Sequence, residues 1–284
     1  MGNRLILCLL AFTLWSCSSD NDDIDGFVDP VISLDTAPSE YKGYVYKYND
    51  LDYDYLLSVG FDERCKYATV YEDTLKKMTT EALAQCCLFW PVCGNHIFYP
   101  NGSLSIYDGF LISFDNCNVL QELAKRDQGA IALLKLYMYL KYGNSEYKHN
   151  WYESDIAKLN DKIRHKQHLE MLFITEYFTP NLSKDMLVML AERGEELLLK
   201  GVDENGRIHW LDAQYTYMLW QRILLCYDKF THLLSDEEKV IFTQNIEDFG
   251  LDKYKEGLDQ TYEYRTIISK KVRLMYESYQ KDKQ

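Results

Sequence analysis

Apolar residues recur every three or four positions along most of this chain, and that spacing restricts it to helices. Ser183 can cap a helix in which Leu187, Leu190, Leu197 and Leu198 share one face until Gly201. From Gln214 to Asp228, Tyr215, Leu219, Ile223 and Cys226 stripe a second segment at helical steps. Ser235-Asp236-Glu237-Glu238 has the form of a capping box: Ser235 can accept from the Glu238 amide while the Glu238 carboxylate reaches back. Gly250 closes that helix, and Leu258, Tyr262, Ile268, Val272, Met275 and Tyr279 stripe the last one. Upstream, Thr79 or Thr80 can cap a helix carrying Leu83, Cys86, Cys87 and Trp90, which Pro91 stops. Helical segments are then expected over 109–114, 119–125, 127–142 and 155–178, the last ended by Thr179-Pro180. Only 5 prolines and 14 glycines leave too few breaks for a sandwich of many short strands. The fold expected is all-α, an irregular bundle or solenoid of antiparallel helix pairs. No fixed-period repeat supports a TPR or HEAT array.

Two stretches depart from that pattern. Tyr44, Tyr46 and Tyr48 alternate with small or polar residues as a strand would, so 41–78 is expected to be a short, extended, Tyr-rich arm leading into the helices. Residues 92–107, with Gly94, Pro100 and Asn101-Gly102, read as a loop or short hairpin.

The N-terminus carries a different signal. Arg4 precedes an apolar run from Leu5 to Trp15, too short to span a bilayer core that needs about 20 residues, so the run reads as an export leader. Leu14-Trp15-Ser16-Cys17 resembles the lipobox of bacterial lipoproteins, in which the cysteine is acylated and becomes the new N-terminus. That resemblance implies Cys17 as the lipid attachment site and Trp15 as an unusual residue beside it. Acids then follow without a base until Lys42: Asp20, Asp22, Asp23, Asp25, Asp29, Asp35 and Glu40. Such a run cannot collapse on itself. The expected organisation is a signal peptide over 1–16, an acidic disordered tether over 17–40, and one helical domain over 41–284 that includes the arm. Acids just after a lipidated cysteine also resemble the surface-export signal of Bacteroidetes lipoproteins. That implies an outer-membrane lipoprotein exposed at the cell surface, with attachment facing the periplasm as the alternative. Loss of 1–16, whose one charge is Arg4, takes the net charge from −13 to −14. With no basic stripe to displace phosphate counterions, nucleic-acid binding is not expected.

Met78, Thr79, Thr80, Leu83, Cys87, Leu88, Phe89, Trp90 and Pro91, followed by Asn118, Glu122, Leu123, Arg126 and Asp127, resemble the pattern of a family of uncharacterised Bacteroidetes lipoproteins. The likeness spans about 65 residues and implies no activity. Trp90 stands where that family usually has Tyr, and Asp127 is one place displaced.

Chemistry-bearing residue types are present without a decisive arrangement. Cys65, Cys86, Cys87, Cys93, Cys117 and Cys226 permit disulfides outside the cytoplasm, yet a chain this long can be held by its core; Cys86 and Cys226 read as small buried hydrophobes. Cys87, Cys93, His96 and Cys117 are zinc-ligand types but lack the tight knuckle spacing of a structural zinc site. His165 and His168, one helical turn apart among Arg164, Lys166 and Gln167, read as a solvated helix face. Asn21-x-Asp23-x-Asp25-Gly26 opens like a calcium loop but reaches Ile32 where a glutamate is needed. No nucleophile elbow, Walker loop, dinucleotide fingerprint or His-Glu-x-x-His helix occurs. No metal, cofactor or catalytic residue is assigned. Most of the 24 tyrosines fit helix edges. Those set to meet a ligand are Trp90, Tyr99 and Tyr107, with Tyr44, Tyr46 and Tyr48 in the arm, since an aromatic face meets the C–H patches of a sugar. The expected function is a membrane-anchored binding or interaction module with a protein or glycan partner. The alternative is an extracytoplasmic hydrolase with an unrecognised carboxylate pair.

Overall fold

The computed structural model describes residues 28–45, 55, 58–89, 105–140, 156–201, 210–226, 228–249 and 261–284, with backbone alone for 156–164, 210–212 and 261–264. Among these residues the protein is all-helical, with eleven α-helices and no strand. In chain order they are α1 (Phe61–Ala68), α2 (Glu72–Lys77), α3 (Thr80–Leu88), α4 (Ile106–Asp115), α5 (Asn118–Lys125), α6 (Gly129–Met138), α7 (Ile156–Ile174), α8 (Lys184–Lys200), α9 (Trp210–Leu224), α10 (Asp236–Glu247) and α11 (Thr261–Asp282). Two 3-10 turns, Thr179–Asn181 and Thr231–Leu233, follow α7 and α9. None of the described helices is long and apolar enough to cross a membrane.

α3, α4, α8 and α10 start where a side-chain oxygen satisfies a free amide. The Thr79 hydroxyl accepts from Ala82 N at 3.2 Å, Ser105 from Asp108 N at 2.9 Å and Ser183 from Met186 N at 3.2 Å. The capping box of α10 is complete: Ser235 Oγ accepts from Glu238 N at 3.2 Å and Glu238 Oε2 accepts from Ser235 N at 2.7 Å.

Two helices organise the packing. α9 lies against α7, α8, α10 and α11, and α3 lies against α5, α6 and α7. A helix with neighbours on four sides makes this a bundle, because repeats of a solenoid meet only the repeats beside them. α7 meets both α3 and α9, and ten consecutive residues from Lys166 in α7 to Thr175 just past its end are buried. Two glycines permit close approach. A Cβ on Gly129 would lie 2.1 Å from the Leu123 carbonyl oxygen, so the corner between α5 and α6 admits no side chain there. On α8, a Cβ on Gly194 would sit 3.3 Å from Thr216 Cγ2 and 3.4 Å from the Tyr137 hydroxyl, at the point where α6, α8 and α9 converge.

The extended arm is corrected over much of its length. α1 and α2 occupy 61–77, and Tyr44 and Val45 already carry helical backbone; Tyr46 and Tyr48 lie outside the described residues. Phe61, Cys65 and Ala68 recur at helical spacing and meet the core, with Asp62 and Glu63 in the first turn and Lys66 in the last. That stripe outweighs the tyrosine alternation upstream.

The boundary placed after residue 40 also moves. The main compact unit begins at Val31, and the last part of the acidic run is docked on it. Ile32 and Leu34 pack against the core, Ile32 N donates to Gln128 Oε1 at 2.7 Å, and Tyr41 N donates to Gln85 Oε1 at 3.3 Å. Two aliphatic side chains and matched backbone partners overcome the low hydrophobicity of this stretch.

Candidate functional site

Titratable groups gather in two places of opposite character. The first is sealed. Lys166 and Glu170, one turn apart on α7, have no exposed side-chain surface, and Lys166 Nζ donates to Glu170 Oε2 at 2.7 Å. The other carboxylate oxygen of Glu170 accepts from the Tyr137 hydroxyl of α6 at 2.7 Å and from the Thr216 hydroxyl of α9 at 2.8 Å. Thr216 in turn accepts from Lys166 Nζ at 3.0 Å. Burial pushes the Glu170 carboxyl above its ordinary value, while Lys166 and the two hydroxyls pull it back. Between these two residues on the same helix, His168 Nε2 donates to the Cys87 carbonyl at 2.9 Å, which fixes the proton on that nitrogen. Burial lowers its pKa to about 4, so the ring is neutral at pH 7. The reading of His165 to His168 as a solvated face is therefore wrong: Lys166, Gln167 and His168 are buried, and His165 packs edge-on to Phe89 with centroids 4.9 Å apart. The histidine pair spans two environments. The sequence signal that was missed is a lysine and a glutamate four apart, immediately before the all-round apolar run Met171 to Ile174.

The second place is open to solvent. On α4, Phe114 stacks on Tyr177 with ring centroids 3.9 Å apart and planes within 1°. Tyr177 lies just beyond α7 and keeps 38% of its surface exposed. Beside it, Arg222 of α9 pairs with Glu176 at 3.0 Å and donates through Nε to the Ile174 carbonyl at 2.6 Å, capping the end of α7. Tyr107, half-buried two turns before Phe114 on the same face of α4, belongs to the same surroundings. Burial raises its hydroxyl pKa, Arg222 opposes that, and Glu176, Tyr177 and Glu247 add to it. Burial likewise raises the Tyr177 hydroxyl, reinforced by Asp115 and Glu176. Tyr107 is thus brought together with Phe114, Tyr177, Arg222 and Glu176 into an aromatic and charged ledge. Trp90, Tyr99 and Cys17 lie outside the described residues.

The cysteines divide in the same way. Burial pushes the Cys86 thiol up to about 12 and those of Cys65 and Cys226 to about 11, which keeps all three protonated and inert. Cys87 and Cys117 are buried as well, and Cys93 and His96 lie outside the described residues. Among the described residues no group of His, Cys, Asp or Glu is arranged to hold a metal ion.

Residues of the 78–91 and 118–127 segments tie several helices together. Asn118 clamps Val70 with both ends of its amide, Nδ2 donating to the Val70 carbonyl at 2.6 Å and Oδ1 accepting from its N–H at 3.3 Å. Arg126 pairs with Glu122 at 2.8 Å and donates to the Leu75 carbonyl at 3.2 Å. Thr79 caps α3, Leu83 and Leu123 are buried, and the Cys87 carbonyl receives His168. These contacts tie the α1–α2 segment and α3 to α5 and α7. In comparisons with known proteins, the chain matches no family model, no curated protein and no solved structure.

Proposed function

We propose that this protein is a lipid-anchored protein of the cell envelope, held by Cys17 on the outer membrane with its helical body facing out, and that it works as a binding module for a protein or glycan. The observation that carries this reading is the order of residues at the N-terminus: Arg4, the apolar run Leu5 to Trp15, Cys17, then seven acids before Lys42. Acyl chains contribute about 0.8 kcal/mol per buried methylene, so two or three of them anchor a chain whose described helices include none able to cross a membrane. The exposed ring of Tyr177, stacked on Phe114 and set beside Arg222 and Glu176, supports a binding role, since it offers an apolar ring with charged groups at the wet rim.

The hydrolase alternative receives less support. It calls for two carboxylates with raised pKa values facing a cleft. Among the described Asp and Glu residues Glu170 is the one held above its ordinary value, and it is sealed from any substrate. Intact-mass analysis of the protein from a host that processes lipoproteins tests the anchor: a mature chain starting at acylated Cys17, and an unprocessed chain in Cys17→Ser, are expected. An unmodified wild-type product located in the cytosol would defeat the proposal. For the binding role, a glycan array and a pull-down should each be run with wild type and with Tyr177→Ala, and a partner lost only in the variant is the expected result.

A further inference from the structure

The part of the acidic run that is docked on the body is held in a way unlike the rest of the chain. Residues 31–41 form no regular element, and their side chains are exposed or half-buried throughout. They are fastened mainly by side chains that read their backbone. Gln128, just ahead of α6, accepts the Ile32 amide at 2.7 Å. Gln85 on α3 accepts the Tyr41 amide at 3.3 Å and donates through Nε2 to the Ser39 carbonyl, much as a neighbouring strand would. Lys135 on α6 donates to Thr36 Oγ1 at 3.2 Å, and the Tyr41 hydroxyl donates to Glu81 at 3.3 Å. Only Ile32 and Leu34 add apolar contact, and both sit at the margin of the core. Immediately after this stretch, Gly43 has φ +94°, a left-handed conformation that favours glycine, and a Cβ there would meet nothing within 4 Å. A segment with so little apolar burial, fixed by bonds to solvent-accessible backbone, opens at lower free energy than the helices beneath it.

We propose that residues 31–41 are a releasable strap, hinged at Gly43, that fixes the length of the connection between the N-terminal anchor and the body. Docked, the strap is held on the body from Ile32 to Tyr41. Released, residues 31–42 add about 40 Å of reach at an extended rise of about 3.3 Å per residue. Release leaves the body folded, because the buried cluster is built from the helices and does not need Ile32 or Leu34 as members. The role in reach rests on the lipid-anchor reading above; the strap itself does not.

Native-state hydrogen exchange on the full chain tests the strap without any variant. The Ile32 and Tyr41 amides are expected to exchange at least about 100-fold faster than the Leu83 amide of α3, with little dependence on denaturant, because they open locally. Equal rates with the same denaturant dependence would overturn the proposal. A second measurement places fluorophores at Asp35 and Tyr139, both exposed. In Ile32→Asp/Leu34→Asp, energy transfer should fall and the strap amides should lose protection, while the helical circular dichroism and the unfolding midpoint stay near wild type. Unchanged transfer, or collapse of the body along with the strap, would overturn it. Both readouts use unlipidated protein, so a failure of acylation at Cys17 leaves them intact and falls on the anchor reading alone.

Discussion

Two lysine–glutamate pairs sit in this protein in nearly the same chemical form and in opposite structural situations. Lys166 and Glu170 belong to one helix and are closed in by the Tyr137 and Thr216 hydroxyls from α6 and α9, with no side-chain surface exposed. Lys135 and Glu81 bridge α6 and α3 and keep 5% and 14% of their side-chain surface, with the strap residues Thr36 and Tyr41 laid against them. The first pair is enclosed by packed helices, so water reaches it only when the bundle comes apart. The second is covered by an irregular segment that can lift, after which it becomes an ordinary surface pair worth about 0–1 kcal/mol. What separates the two is the lid, and the lid decides whether a charge pair reports on global or local stability.

The sharpest way to break this contrast is to truncate one acid in each pair. Glu170→Ala leaves an ammonium group buried among helices, and removing one partner of a buried pair costs about 3–5 kcal/mol. For a domain of this size that lowers Tm by roughly 10 °C. Thermal denaturation followed by circular dichroism measures it, and a fall of only a few degrees would mean that water already enters the site.

Next in size is the protonation of His168, in the same sealed region. Its folded pKa of about 4 lies below the ordinary value of 6.5, so the unfolded chain binds the proton more readily. The stability that depends on the neutral ring is fully present above pH 6.5, declines as pH falls below 6.5 and is lost below about 4. A shift of that size corresponds to about 3 kcal/mol. Glu170 acts in the opposite sense, since an acid whose folded pKa is raised favours the fold at low pH and loses that contribution as pH rises. The histidine part is therefore isolated by difference. His168→Gln can still donate to the Cys87 carbonyl, and urea denaturation between pH 4 and 7 should show wild type losing stability relative to the variant as the medium becomes acidic. Parallel curves would show that His168 is not held neutral by burial.

Glu81→Ala should be smaller, about 1–2 kcal/mol, the usual cost of losing hydrogen bonds to a charged group that can still find water. Its effect should concentrate in the strap: amides of Ile32 and Tyr41 lose protection while that of Leu83 keeps it. A global loss equal to that of Glu170→Ala would erase the distinction between the two pairs.

The contrast also explains which parts of the structure were legible in the sequence. Elements with an amphipathic stripe and a capping residue were readable in advance: Thr79 on α3, Ser183 on α8 and the Ser235–Glu238 box on α10 all do what their spacing implies. α7 was recognised as a helix, yet the character of its middle was misjudged. Arg164, His165, Lys166, Gln167 and His168 look polar, and no local pattern says that distant helices will close over Lys166, Gln167 and His168. Tyr137 and Thr216 stand at |i−j| of 33 and 46 from Glu170. The strap failed for the mirror-image reason. Its acids argued for a free tether, while the fit was decided by Gln85 and Gln128, neutral amides that carry no signal until a backbone lies beside them. Of the candidate site, Tyr107 could be named from the sequence, but its neighbours Tyr177 and Glu176 come from the turn after α7 and Arg222 from α9, and only the fold assembles them.

The smallest expected effect is the most informative about the sealed pair. Replacing a whole buried polar network with apolar groups of similar volume is often neutral, because desolvation of the ions offsets their attraction. Lys166→Met with Glu170→Leu alone does not test this, since it strands the Tyr137 and Thr216 hydroxyls that now bond to Glu170, at about 1–3 kcal/mol each. Adding Tyr137→Phe and Thr216→Val removes the stranded groups with nearly the same shape. The fourfold variant should therefore return to within about 1 kcal/mol of wild type, although Glu170→Ala alone costs several. Chemical denaturation of the three proteins side by side settles the matter. Recovery means that the network fixes how α6, α7 and α9 meet without adding net stability. A fourfold variant as unstable as the single one would mean that the charges themselves hold the bundle closed, in which case the sealed pair and the strapped pair differ in strength as well as in their lids.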